Sequence, residues 1–305
     1  MSERRLTTTN LLKPGVIAGL LRLEHWVKNL FLFIPPFFAA RLHEPVVLLR
    51  VVLAFLAFSL VASGVYILND LVDAPKDRLH PDKKKRPIAS GVVSSRQAIA
   101  VLVLVLAAGT LLAAWLGTDL LLLCLLYFAI NLWYSFYLKD IAIVDIFTIS
   151  VGFLLRVFAG GAAAGVVVSQ WLIVMTFLLA LILGLAKRRG EYLVAQDGAS
   201  FRKALEGYNL AFLDMSMVVC STVSIVAYLM YCFSPEVEAR IGSDKIYYTG
   251  VFVVLGVLRY LQLTLVYNKT ESPTRALLRD GFLQLVLAGW VGSFVWLLYL
   301  RGHGG

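Results

Sequence analysis

Nine stretches of about 20 apolar residues, parted by short clumps of charge, govern what this chain can fold into. A helix advances about 1.5 Å per residue, so roughly 20 residues cross a hydrocarbon core while satisfying their own backbone hydrogen bonds. The stretches fall at 19–40, 46–68, 97–117, 119–137, 141–164, 170–186, 211–232, 247–267 and 281–300. A chain that is 60% hydrophobic and only 15% charged is apolar beyond the range of soluble domains. The pattern predicts an all-α membrane protein of about nine transmembrane helices. The first stretch is irregular: Arg22, Glu24, His25 and Lys28 crowd its start, and Pro35-Pro36 break it near the end.

Charge sets the expected orientation. The segment 69–96 and the loops 187–210 and 268–280 carry most of the lysines and arginines, whereas 117–119 and 165–169 carry none. The basic loops and the N-terminal segment 1–18 therefore face the cytoplasm of a plasma membrane, with the C-terminus outside. The net charge of +9 lies in short loops beside apolar runs, a footprint of topology and anionic headgroups rather than of nucleic acid. Cys124, Cys220 and Cys232 are odd in number and sit in apolar segments, so no disulfide framework is implied. No apolar core of a cleavable leader appears in residues 1–15. No linker or repeat divides the chain, and 1–305 reads as a single membrane domain.

Asn69-Asp70-Leu71-Val72-Asp73-Ala74-Pro75-Lys76-Asp77 is the chemical centre of gravity. Continuing a helix through it puts Tyr66, Asn69, Asp70, Asp73 and Asp77 at steps of three and four, so most share one face. Carboxylates packed so densely repel one another unless a cation sits among them. Hard oxygen donors suit Mg²⁺, an ion usually shared with substrate phosphates. The basic run Lys83-Lys84-Lys85-Arg86 follows within ten residues and offers cations for phosphate oxygens. A charged loop flanking a span is the bland alternative, but the order of the motif and the Arg86-Pro87 that follows exceed what a solvated loop needs.

Asn69-Asp70-x-x-Asp73-x-x-x-Asp77 set among about nine spans resembles the first aspartate-rich motif of the UbiA superfamily of intramembrane prenyltransferases. Further segments narrow the resemblance. Arg22-x-x-x-Trp26-Val27-Lys28-Asn29, His80-Pro81-x-Lys83-x-x-Arg86-Pro87 and Leu155-Arg156-x-x-Ala159-Gly160-Gly161 are similar to the decaprenyl-phosphate phosphoribosyltransferase branch. The resemblance implies a helical bundle around a cytoplasm-facing cavity. It implies transfer of phosphoribose from phosphoribosyl diphosphate to a polyprenyl phosphate, for synthesis of an envelope arabinose donor. Prenyl-transferring members carry a second aspartate-rich loop after the sixth span. The corresponding residues here are Lys187-Arg188-Arg189-Gly190-Glu191-Tyr192, which are basic with one acid. One acidic cluster means one expected metal–diphosphate site, flanked by phosphates held through cations.

The resemblance makes Asn69, Asp70, Asp73 and Asp77 the metal ligands, with the three aspartates essential to catalysis. It makes Lys28, Tyr66, Lys83, Arg86, Tyr134, Lys139, Arg156, Lys187, Arg188 and Glu191 the substrate-binding set. Several of these keep a structural alternative. Lys28 can snorkel to the interface, Tyr66 can serve as an interfacial aromatic, and Lys139 can act as a positive-inside anchor. Arg156 lies some 20 Å beyond Lys139 along a helix. An arginine at that depth needs an interior partner, either Asp145 or a lipid phosphate. Arg259 shares the ambiguity. An ionised acceptor phosphate needs no general base, and no histidine has metal-ligand spacing. The competing expectations are prenyl transfer from a prenyl diphosphate to an aromatic or polar acceptor, and a transporter. Transporter sites sit between repeats at the bilayer midplane, and no repeat is visible here. Homo-oligomerisation stays open.

Overall fold

The computed structural model describes residues 13–79, 83–196, 203–268 and 279–300. Among the described residues every regular element is helical, and eight helices are long and apolar enough to cross a membrane. In chain order the α-helices are α1 (Pro14–Leu21), α2 (Ile34–Phe38), α3 (Pro45–Asp77), α4 (Ser95–Leu116), α5 (Thr118–Phe136) and α6 (Val144–Ala164). They continue with α7 (Gln170–Gln196), α8 (Leu210–Cys232), α9 (Pro235–Ile241), α10 (Gly250–Leu261) and α11 (Gly281–Val295). The residues fall into two compact units. The first comprises the chain up to Leu138 with Leu155–Val167, and the second comprises Lys139–Leu154 with everything from Val168 onward.

In the first unit, the expected span 19–40 is not one continuous helix. Arg22 adopts the left-handed conformation (φ 49°) and ends α1, and Leu23–Phe33 form a 3₁₀-helix. The reason is polar pairing with a period of three. A 3₁₀-helix stacks every third side chain on one face, here Trp26, Asn29 and Leu32. Trp26 Nε1 donates to Ser63 Oγ at 3.0 Å and Asn29 Nδ2 donates to Ser59 Oγ at 2.7 Å. Ser59 and Ser63 are four apart on α3 and so lie one above the other. Pro35-Pro36 open the short helix α2 at its first turn, where a missing N–H costs nothing, instead of breaking a span. At the other end of the unit, Arg50 donates to the carbonyls of Leu116 (2.9 Å) and Ala163 (3.1 Å), satisfying the last turns of α4 and α6.

Gly160 brings α6 against the backbone of Leu32. A Cβ there would overlap the Leu32 carbonyl, and no flexible side chain could yield. Gly160→Ala should therefore lower stability by about 1–3 kcal/mol, seen as an earlier melting transition in detergent. An unchanged transition would contradict this contact.

In the second unit, the expected span 170–186 is the membrane part of a longer helix. α7 runs through Lys187-Arg188-Arg189 to Gln196 because those cations find partners at helical spacing and inside the unit. Arg189 Nε donates to Asp214 at 2.6 Å, and its Nη1 to the Thr264 carbonyl at 2.8 Å. Arg259 pairs with Asp280 at 2.7 Å, which resolves its ambiguity as an ion pair. The core around Leu185, Ala186, Leu213 and Met217 also takes in Leu205 and Tyr208, from the segment that leads into α8. The three cysteines are free thiols.

Candidate functional site

The helix expected through the acidic motif is present: α3 continues to Asp77. Beyond it the chain turns back on an apolar anchor. Ile88 and Val93 are buried with Leu20, Ile67 and Ala74, which fixes the returning strand of chain against both α1 and α3. That packing sets Arg86 over the motif. Arg86 Nη1 lies 3.1 Å from Asp70 Oδ1 and 2.6 Å from Asp77 Oδ2, so two carboxylates converge on one guanidinium nitrogen. Arg22, at the left-handed junction after α1, pairs with the same Asp70 oxygen and stands over the Tyr66 ring at 5.2 Å. Asp70 and Asp77 are buried, while Asp73 is half-buried on the same helical face. Ser135 Oγ joins the Asn69 amide to the Asn131 carbonyl (2.6 Å), tying the motif to α5 beside Tyr134.

This donor set fits a hard divalent cation. Three carboxylates and an amide oxygen are the groups Mg²⁺ prefers, and the point shared by Asp70 and Asp77 already carries a positive charge. Among the described residues no three acidic, His or Cys side chains converge on a common point, and Arg86 bridges Asp70 and Asp77.

A second polar cluster lies in the same unit. Arg156 is buried and donates from Nε to Asn29 Oδ1 (2.8 Å) and from Nη2 to Tyr127 Oη (3.0 Å). Its guanidinium is 5.2 Å from the Phe58 ring centre and 4.8 Å from that of Tyr127. Lys28, one residue before Asn29, stands in the electrostatic field of Arg156 and Arg22. A buried arginine in an apolar unit is a feature an anion can bind, and Lys28 adds a second cation on the 3₁₀ segment that carries its partner Asn29.

The remaining expected residues divide. Lys83 is exposed in a 3₁₀ turn, Lys83–Lys85. His80 and Pro81 lie outside the described residues. In the second unit, Lys139 sits in the turn Leu138–Asp140. Arg188 is 0% exposed and donates to Asp145 Oδ2 at 2.5 Å, while its Nη1 pairs with Glu191. Lys187 Nζ stands 3.8 Å from Glu191. Asp145, weighed as a partner for Arg156, has its oxygens taken by Arg188 and by the Tyr208 hydroxyl. Arg188 and Glu191 thus belong to a charge network centred on the buried Arg188. Tyr127 and Tyr208 are polar partners that the motif reading missed, and Asn29 stood in the Trp26-Val27-Lys28-Asn29 motif without a role, although its period-three spacing with Trp26 and Leu32 was a local sign of one.

Comparison with known proteins agrees with this architecture. Residues 30–287 match the UbiA prenyltransferase family. The chain is 31% identical to the decaprenyl-phosphate phosphoribosyltransferase of Mycolicibacterium smegmatis, with 98% of each chain covered. It is 33% identical to the protein of that name from Mycobacterium tuberculosis, covering 92% of this chain and 93% of the relative. The fold is shared with a UbiA homolog from Archaeoglobus fulgidus solved with DMAPP and Mg²⁺. That likeness has a TM-score of 0.69 and 18% identity, and covers 92% of this chain and 98% of the other. A bundle of apolar helices carrying this acidic motif, with such relatives along almost its whole length, identifies a multi-pass membrane transferase, and the chain belongs to the UbiA prenyltransferase family.

Proposed function

We propose that the protein transfers the 5-phosphoribosyl group of phosphoribosyl diphosphate to a polyprenyl phosphate. In this reaction the bond from ribose C1 to the diphosphate breaks, a bond from C1 to the lipid phosphate oxygen forms, and diphosphate leaves. The observation that carries the reading is the pairing of two sites of opposite character within the first unit. One is the acidic cluster of Asp70, Asp73 and Asp77, and the other is the buried Arg156, bound to Asn29 of the 3₁₀ segment that also carries Lys28. A donor diphosphate suits the first and an acceptor phosphate suits the second. The relatives named for decaprenyl phosphate support the same pairing.

Mg²⁺, held by Asn69, Asp70, Asp73 and Asp77, would supply charge neutralisation to the departing diphosphate. Arg86, Arg22 and Lys83 bring donors to the phosphate oxygens. Tyr66 lines the motif face through its contact with Arg22. Asn29 and Tyr127 orient the planar fork of Arg156, and the Phe58 and Tyr127 rings exclude water around it. The acceptor is ionised near neutral pH, so the residues move no proton; their work is positioning and electrostatics. The reading places these groups on the cytoplasmic side of the plasma membrane.

Membranes containing the protein, incubated with labelled phosphoribosyl diphosphate, polyprenyl phosphate and Mg²⁺, should yield a labelled lipid, and chelation should abolish it. Labelled lipid absent here but formed from a prenyl diphosphate and an aromatic acceptor would overturn the assignment.

A further inference from the structure

One nitrogen of Arg86 holds two carboxylates of the acidic motif, Asp77 at 2.6 Å and Asp70 at 3.1 Å. The Asp70 oxygen in that contact also pairs with Arg22. The two carboxylates are buried, with side-chain exposures of 2% and 6%, whereas the Arg86 side chain keeps 29%. The backbone that carries this side chain is fixed. Ser90 N–H donates to the Arg86 carbonyl and Val93 N–H to the Pro87 carbonyl, each at 2.9 Å. Ile88 and Val93 are sunk in the core formed with Leu20 and Ile67. Any change of partner by Arg86 is therefore a rotation about its own side-chain bonds. Arg22 is more enclosed, at 17%, and its guanidinium rests over the Tyr66 ring.

The carboxylates that Arg86 holds are those assigned above to Mg²⁺. A buried carboxylate stripped of its cation is costly, so Arg86 leaves only when another cation takes its place. A bare divalent ion is a poor replacement. Three carboxylates face two guanidiniums, so such an ion brings more positive charge than the cluster balances, and the displaced guanidinium has no anion to turn to. Diphosphate removes both obstacles, because it offsets the charge and presents oxygens that a guanidinium fork matches. We propose that Arg86 is an exchangeable counter-cation of the motif. It holds Asp70 and Asp77 until metal and diphosphate arrive together, then passes its hydrogen bonds to the diphosphate. The exchange makes the motif select a metal–diphosphate complex over the bare ion. The inference rests on the metal–diphosphate reading given above.

The test is equilibrium dialysis of the full chain in nanodiscs of zwitterionic lipid, with Mn²⁺ as the metal probe and labelled inorganic diphosphate as the anion. Arg86→Gln should bind Mn²⁺ alone about tenfold tighter than the parent, and diphosphate in the presence of Mn²⁺ about tenfold weaker. The opposite signs are diagnostic. An Arg86 that only supports the fold would lose both affinities on substitution. One that only grips phosphate would lose diphosphate with Mn²⁺ affinity unmoved. Either result overturns the proposal. Asp73→Ala should weaken Mn²⁺ binding in the parent and in Arg86→Gln, which locates the measured ion at the motif. If Asp73→Ala leaves both Mn²⁺ and diphosphate binding unaltered, the metal–diphosphate reading falls and the exchange with it. If Asp73→Ala weakens both and Arg86→Gln fails to tighten Mn²⁺, the exchange alone falls. Should Arg86→Gln not fold, the parent still decides: diphosphate should tighten its binding of free Mn²⁺ about tenfold, and Mn²⁺ should tighten diphosphate by the same factor. Independent binding of the two would overturn the proposal.

Discussion

Asp73→Ala should abolish transfer, lowering the rate at saturating Mg²⁺ by at least about 100-fold, which corresponds to roughly 2.7 kcal/mol of barrier. Asp73 is the most exposed of the three aspartates. Asp70 and Asp77 are buried against Arg22 and Arg86, so deleting either strands guanidinium charge as well as a metal ligand. Asp73 is half-buried, and its loss should leave the melting transition in detergent close to that of the parent. A variant retaining a tenth of the activity with Mg²⁺ present would remove Asp73 from the metal site. A variant that melts much earlier would show that the carboxylate holds the fold rather than the donor.

The second large effect falls on stability. Arg188→Ala leaves the buried Asp145 carboxyl without its cation in the second unit, keeping the Tyr208 hydroxyl as its partner. Removing one partner of such a buried pair costs about 3–5 kcal/mol, a large share of the stability of a typical domain. Equilibrium unfolding in detergent should show that loss. Replacing both partners, with Arg188→Met and Asp145→Leu together, should recover most of it, because two apolar groups of similar volume leave no unmatched charge. A phosphate-gripping Arg188 would behave in the opposite way, with transfer lost and the unfolding curve unmoved. That outcome would return the residue to the substrate-binding set.

Much of this architecture could be read from residue order alone. Long apolar runs specify spans because a backbone in hydrocarbon has no alternative to the helix, and eight of the nine expected runs are helices of that kind. The helical phase of Asn69, Asp70, Asp73 and Asp77 follows from spacing, since i, i+3 and i+4 neighbours share a face whatever surrounds them. Less legible was anything settled by a distant partner. The 19–40 stretch has the hydropathy of a span, yet Ser59 and Ser63 draw Trp26 and Asn29 into a 3₁₀ path. Lys187-Arg188-Arg189 has the charge of a loop, yet Asp145, Glu191 and Asp214 let the helix run on. Tyr208 lies 63 positions from Asp145, and no local pattern marks their bond.

The length of α3 has a mechanical consequence. Its 33 residues extend for about 50 Å, well past the roughly 30 Å of a hydrocarbon core. The serines that seat the 3₁₀ segment and the aspartates of the motif are thus marks on one rigid ruler. A single residue inserted between Ser63 and Asn69 would advance the aspartates by about 1.5 Å and rotate them by about 100°, turning them from Arg22 and Arg86 while the serine contacts stayed in place. Four inserted residues would nearly restore the angle but leave the acids about one turn too far along. A substitution along this helix alters one mark at a time; a change in its count displaces every mark beyond it.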